Sequence, residues 1–192
     1  MPHKRAIGAI LLIFLAWSAF PAGTSAADPA EPAQAPPAPP PAVGMTAPTF
    51  TVPDLYGDPV DVAGLIRGKP ALVSFWASWC QGCIAEIPRL RALSREYRGL
   101  GLVIVGVGLK QGGETPEKQR HEAARELVNY QLVFDADKKY ETTYGLNAIP
   151  FNVLLGPDGK ISWIGRLLPD NLEDRIKAHI IEARRMEGSP RE

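Results

Sequence analysis

The segment Ala71-Leu72-Val73-Ser74-Phe75-Trp76, apolar but for one serine, runs directly toward Trp79-Cys80-Gln81-Gly82-Cys83. Its β-branched and aromatic bias predicts a buried strand. After it, Ile84, Ile87, Leu90 and Leu93 recur at helical spacing, which predicts a helix from Cys83 to about Tyr97, kinked at Pro88. The cysteines therefore fall where a strand ends and a helix begins. A helix N-terminus offers free backbone N–H groups and a partial positive charge, and both favour a thiolate over a thiol. Cys80 is expected to ionise below the value of about 8.5 for a free thiol.

The chain has only these two cysteines. A bridge across two residues closes almost no loop, so it adds little to stability by restricting the unfolded chain. A structural zinc site needs two more ligands, and beyond the N-terminal segment only His121 and His179 remain, without metal-like spacing. No metal and no other cofactor is expected. The arrangement suits thiol–disulfide exchange, with Cys80 as nucleophile and Cys83, one turn in and more shielded, as the resolving thiol. Two further readings stay open: a disulfide oxidase, and a chaperone whose two thiolates hold Cu(I).

Composition removes some classes of function. Lys plus Arg equals Asp plus Glu at 21 each, so no concentrated positive field favours nucleic acid or an anionic membrane surface. The N-terminus is more specific. His3-Lys4-Arg5 precedes an apolar run from Ala6 to Phe20, then Pro21, Gly23 and the small residues Thr24-Ser25-Ala26-Ala27. This is the layout of a secretory signal peptide over 1–27, with an uncleaved anchor as the competing reading. Seven prolines between Pro29 and Pro41 make 28–43 a semi-rigid spacer. A folded domain is expected over 44–187, and 188–192 reads as a flexible tail.

Within the domain, Thr49–Leu55 and Val60–Val62 read as a hairpin around Tyr56-Gly57-Asp58-Pro59, and Leu100–Leu109 as a second buried strand. Glu117–Tyr130 reads as a helix, Leu132–Phe134 as a short strand, and Lys138–Tyr144 as a brief helix ended by Gly145. Phe151–Leu155 and Lys160–Ile164 flank the turn Gly156-Pro157-Asp158-Gly159, and Asp170 opens a last helix to about Met186. This order predicts an α/β fold with a mixed central sheet flanked by helices and an N-terminal β-hairpin extension. Gly106-x-Gly108 lacks the third glycine of a nucleotide fingerprint, and packing explains it better.

The stretch Ser74–Cys83 with Glu86 and Pro88 resembles the active-site segment of thioredoxin-like proteins, in particular the exported TlpA/ResA branch with its C-x-x-C-x-x-E-x-P pattern. Tyr144-Gly145-Leu146, Ala148-Ile149-Pro150 and Gly156–Ile161 are similar to that branch's second block, and the resemblance spans about residues 44–186. It implies a thioredoxin-like fold with Pro150 as a cis-proline across from the cysteines. It also implies a substrate groove lined by Trp79, Ile149 and Pro150, flanked by Trp76. Glu86, three residues after Cys83 on the same helix face, becomes a candidate to exchange a proton with Cys83.

This chain departs from that pattern in places. Ser74 stands where thioredoxin has a buried Asp, so a proton relay must run through Glu86 or water. Gly82 replaces a common Pro, which loosens the turn, and Phe151 follows Pro150 where Thr is frequent. The implied activity is that of a periplasmic or otherwise extracytoplasmic thiol–disulfide oxidoreductase. Such a protein reduces specific protein disulfides, such as those of apocytochrome c or of copper-site cysteines. The implied partners are a substrate protein and a membrane thiol reductase as electron donor, with no nucleic acid, and the protein acts as a monomer.

Overall fold

The computed structural model describes residues 39–188. The expectations for 1–27, for most of the spacer and for the end of the tail lie outside them. Strands β1 (Thr51–Pro53) and β2 (Pro59–Asp61) pair antiparallel as a separate two-stranded hairpin. A short helix α1 (Val62–Ile66) follows. The main sheet has five strands: β3 (Ala71–Trp76), β4 (Val103–Leu109), β5 (Gln131–Asp135), β6 (Phe151–Leu155) and β7 (Ile161–Gly165). Their spatial order is β5-β4-β3-β6-β7, with β3, β4 and β5 parallel and β6 and β7 antiparallel to their neighbours. Helices α2 (Gln81–Tyr97), α3 (Pro116–Arg125), α4 (Lys139–Thr143) and α5 (Leu172–Gly188) complete the fold. The mixed sheet, the flanking helices and the N-terminal hairpin agree with the sequence reading.

Strand alternation divides the core. Ala71, Val73 and Phe75 of β3 point into one cluster with Val105, Val107, Val153, Leu155, Tyr140 and Tyr144. Leu72 points the other way, into a cluster built by Leu90 and Leu93 of α2 and Leu172, Ile176 and Ile180 of α5. Trp76 shares that second side with Ala77, Cys80, Cys83 and Ile87. The tyrosines of the first cluster also hold the N-terminal segment. The Tyr140 hydroxyl accepts from the Phe50 N–H at 3.1 Å, and the Tyr144 hydroxyl donates to the Pro48 carbonyl at 3.0 Å. Burial pushes Tyr140 up to about 12, with the Phe50 N–H opposing.

Some elements differ from the sequence reading. Residues expected to begin a strand at Leu100 instead close a 3₁₀ turn over Arg98–Leu100, and β4 begins at Val103. Gly101 makes that turn with φ +102. The helix expected to reach Tyr130 stops at Arg125, because the chain reverses through Leu127 at φ 53. Helix α1 was not expected at all, since five residues carry too little periodicity to read. Helix α2 continues through Pro88 as a single helix.

Candidate active site

Cys80 is the N-cap residue of α2, with extended backbone angles, and its sulfur accepts the Cys83 backbone N–H at 3.2 Å. A cap that is itself the reacting atom brings the sulfur onto the unsatisfied N–H groups of the first turn. Cys80 and Cys83 form a disulfide with S–S 2.10 Å and Cα–Cα 5.2 Å. Both are buried, at 6% and 3% exposure, against Trp76, Ala77 and Ile87. The strand places them: β3 ends at Trp76, and an Ala77–Cys80 turn closed by Cys80 N–H to Ala77 C=O (3.1 Å) delivers the first cysteine to the helix.

The Ile149–Pro150 peptide is cis and precedes β6, the neighbour of β3. Gly82 faces it so closely that a Cβ there would lie 3.2 Å from the Pro150 Cδ. The proline ring, rather than a special φ, is what limits the space for a side chain at 82. Ile149 is half-buried between the Cys cluster and the main core, and its carbonyl accepts from the exposed Arg166 guanidinium at 3.3 Å. Trp79 is 48% exposed, with its indole N–H donated to the Gln111 carbonyl at 3.1 Å. Trp76 is buried.

Glu86 is buried one turn beyond Cys83. One carboxylate oxygen accepts from the Asn152 amide and the other from the Leu168 backbone N–H, each at 2.9 Å. Its charge and burial together hold the Tyr130 hydroxyl well above its usual value, burial being the larger cause. Asn152 lies directly opposite Ser74 across the β3–β6 ladder, so a polar seam crosses the apolar layer behind the cysteines. Asn152 was not singled out from sequence. The available signal was one polar residue in the otherwise apolar Phe151–Leu155 run. Glu114, buried and bonded to Ser78, was missed for want of any local pattern. Among the described residues, no group of three or more His, Cys, Asp or Glu is placed to hold a metal ion.

A mixed sheet in this order, with a Cys-x-x-Cys disulfide capping the helix after its central strand, defines a thioredoxin-fold thiol–disulfide oxidoreductase. Residues 43–164 match the AhpC/TSA family, and the chain belongs to it. It is 28% identical over 137 residues to the thiol-disulfide oxidoreductase ResA of Bacillus thuringiensis, covering 70% of this chain and 77% of the relative. Among solved structures it is similar to the thioredoxin domain of a thiol-disulfide oxidoreductase from Bacteroides vulgatus. That match has TM-score 0.63 and 27% identity, over 72% of this chain and 98% of the other. It is also similar to a secreted disulfide oxidoreductase of Mycobacterium tuberculosis described as homologous to DsbE of E. coli. Here the TM-score is 0.57 and identity 25%, over 70% and 96% of the two chains.

Proposed function

We propose that this oxidoreductase is exported and reduces specific protein disulfides outside the cytosol. The Cys80–Cys83 pair at the N-terminus of α2, closed against Pro150 at Gly82, is the observation that supports this most. In this reading residues 1–27 direct export and 28–43 space the domain of 44–187 from them. The secreted relative from Mycobacterium tuberculosis supports that placement. No described helix is long and apolar enough to cross a membrane.

The reaction begins with the reduced pair. The Cys80 thiolate attacks one sulfur of a substrate disulfide, a mixed disulfide forms, and the other substrate sulfur leaves as a thiolate. Cys83, having given up its proton, attacks the Cys80 sulfur. The mixed disulfide breaks, the second substrate thiolate leaves, and the oxidised pair remains. Two electrons pass to the substrate, whose sulfurs take up two protons. Glu86, one turn from Cys83, is the group that takes and returns the Cys83 proton. Trp79, Ile149 and Pro150 hold the substrate segment, and a peptide that pairs with the Ile149 carbonyl displaces Arg166 from it. A membrane thiol reductase returns two electrons to the pair. Cysteine pairs of apocytochrome c or of copper sites are the substrates that the family resemblance favours, with the protein acting as a monomer.

The midpoint potential of Cys80–Cys83, measured in defined thiol buffers, tests the direction. A value near or below about −270 mV, that of thioredoxin, supports the reductase. A value near about −120 mV, that of DsbA, overturns it in favour of an oxidase.

A further inference from the structure

The Ala77–Cys80 turn that carries the nucleophile is held from outside at both of its central residues. Glu114, in the loop between β4 and α3, is buried at 3% exposure. One carboxylate oxygen accepts from the Ser78 backbone N–H at 2.5 Å, and the Ser78 hydroxyl donates to the same carboxylate at 2.8 Å. The other oxygen accepts from the Thr115 N–H at 3.2 Å. Trp79, the next turn residue, donates its indole N–H to the Gln111 carbonyl of the same loop. Gly112, with φ +57, lets that loop lie under the indole, and a Cβ there would come within 3.1 Å of the indole nitrogen.

We propose that Glu114 is a positioning residue of the exchange reaction, which fixes the Ala77–Cys80 turn through Ser78 so that the Cys80 sulfur stays at the α2 N-cap. This rests on the exchange reading above. A buried carboxylate is costly unless its lone pairs are filled. Here the turn fills them, so any turn geometry that swings the Ser78 N–H away leaves a buried acceptor oxygen without its donor. The constraint matters most in the reduced protein. In the oxidised state the S–S bond ties Cys80 to Cys83; once it opens, only the turn and the Cys83 N–H keep the sulfur in line for attack.

The test uses the full chain carrying Cys83→Ser, which leaves Cys80 as its single thiol. Its thiolate, the proton released to solvent, attacks one sulfur of a symmetric aromatic disulfide. A mixed disulfide forms and one coloured aromatic thiolate leaves, giving the rate. Glu114→Ala is expected to slow attack about tenfold, equivalent to about 1.4 kcal/mol in the barrier. Glu114→Gln, which still offers an oxygen to the Ser78 N–H, is expected to stay within about twofold. Glu114→Asp withdraws the carboxylate by about one C–C bond, 1.5 Å, and is expected to be slow like Ala. Urea midpoints separate a slowed reaction from lost folding. If the alanine variant does not fold, the Asp and Gln variants decide. A folded Ala or Asp variant as fast as the parent overturns the proposal. So does a Gln variant as slow as Ala, because the effect then lies in charge rather than in hydrogen-bond acceptance. Absence of reversible exchange between the unsubstituted protein and thiol buffers instead removes the exchange reading itself.

Discussion

The Glu86 carboxylate accepts the backbone N–H of Leu168 at 2.9 Å, tying the helix that carries the cysteines to the loop that leads into α5. Arg89, three residues further along the same helix, donates to the Leu168 and Pro169 carbonyls of that loop. The loop between β7 and α5 is thus held by one anion and one cation of α2. Glu86→Ala leaves the buried Leu168 N–H without its acceptor and the Asn152 amide with only the Arg166 carbonyl, at 3.5 Å. The expected loss is about 3 kcal/mol, read as a lower urea midpoint. Glu86→Gln keeps an acceptor on one side and should lose less. Equal losses in the two variants would show that the acceptor kept by Gln contributes nothing, and unchanged midpoints that neither hydrogen bond matters.

Gly82 stands against the Pro150 ring, so Gly82→Ala places a methyl group 3.2 Å from the Pro150 Cδ. Something must shift by a few tenths of an ångström. The expected cost is about 1 kcal/mol, on the scale of overpacked cores. Thermal unfolding of the oxidised protein measures it, and an unchanged midpoint would mean that the helix start yields freely.

Gln119 is fully buried, and neither its amide nitrogen nor its oxygen has a partner. It lies over Gly108, where a Cβ would meet the Gln119 oxygen at 1.8 Å. Burying unpaired polar atoms costs about 1–3 kcal/mol. Gln119→Met, similar in volume, is therefore expected to raise the urea midpoint, corresponding to about 1 kcal/mol or more. A lower midpoint would mean that the amide has a partner such as an ordered water.

Asp135 at the end of β5 is fully buried and accepts the Glu141 N–H at 2.8 Å. Burial holds its carboxyl above the usual value, while N–H groups of Glu141, Tyr140 and Lys139 oppose the shift. The folded protein then keeps this proton to higher pH than the unfolded chain does. The stability linked to it is fully present below the unfolded value of about 3.9 and is lost as pH rises through the folded value. Asp135→Asn removes that titration and keeps an acceptor for the Glu141 N–H. The stability of this variant relative to wild type is expected to rise from pH 4 to pH 7 in urea titrations. A difference that stays flat with pH would contradict the raised value.

The boundaries of β3 and β6 were legible because each is a short, nearly unbroken apolar run between turn signals. The strand–helix placement of Cys80 and Cys83 followed from the change of period between Trp76 and Ile84. Glu86 was legible only as a position on a helix face, since its partners lie 66 and 82 residues away in the chain. The same holds for Glu114 and Ser78, separated by 36 residues. Gly82 shows a different limit. Sequence suggests backbone freedom as its purpose, whereas the structure shows a neighbour, Pro150, that no local pattern links to it.

The segment ahead of β3 has a further consequence. Near Thr46 it pairs with Lys160, the residue before β7, and at Asp54 it pairs with Val133 of β5, so one short stretch of chain reaches both outer strands of the sheet. Gly44 and Ile161 add hydrogen bonds at the first of these places, the Ile161 N–H reaching the Met45 carbonyl at 2.9 Å. Outer strands with open backbone groups recruit other extended chains. A thiol–disulfide oxidoreductase acts on disulfide-containing proteins, whose chains can be extended around the reacting sulfurs. Covering its margins from within lets it exchange sulfur bonds with such clients while offering them less template for coaggregation.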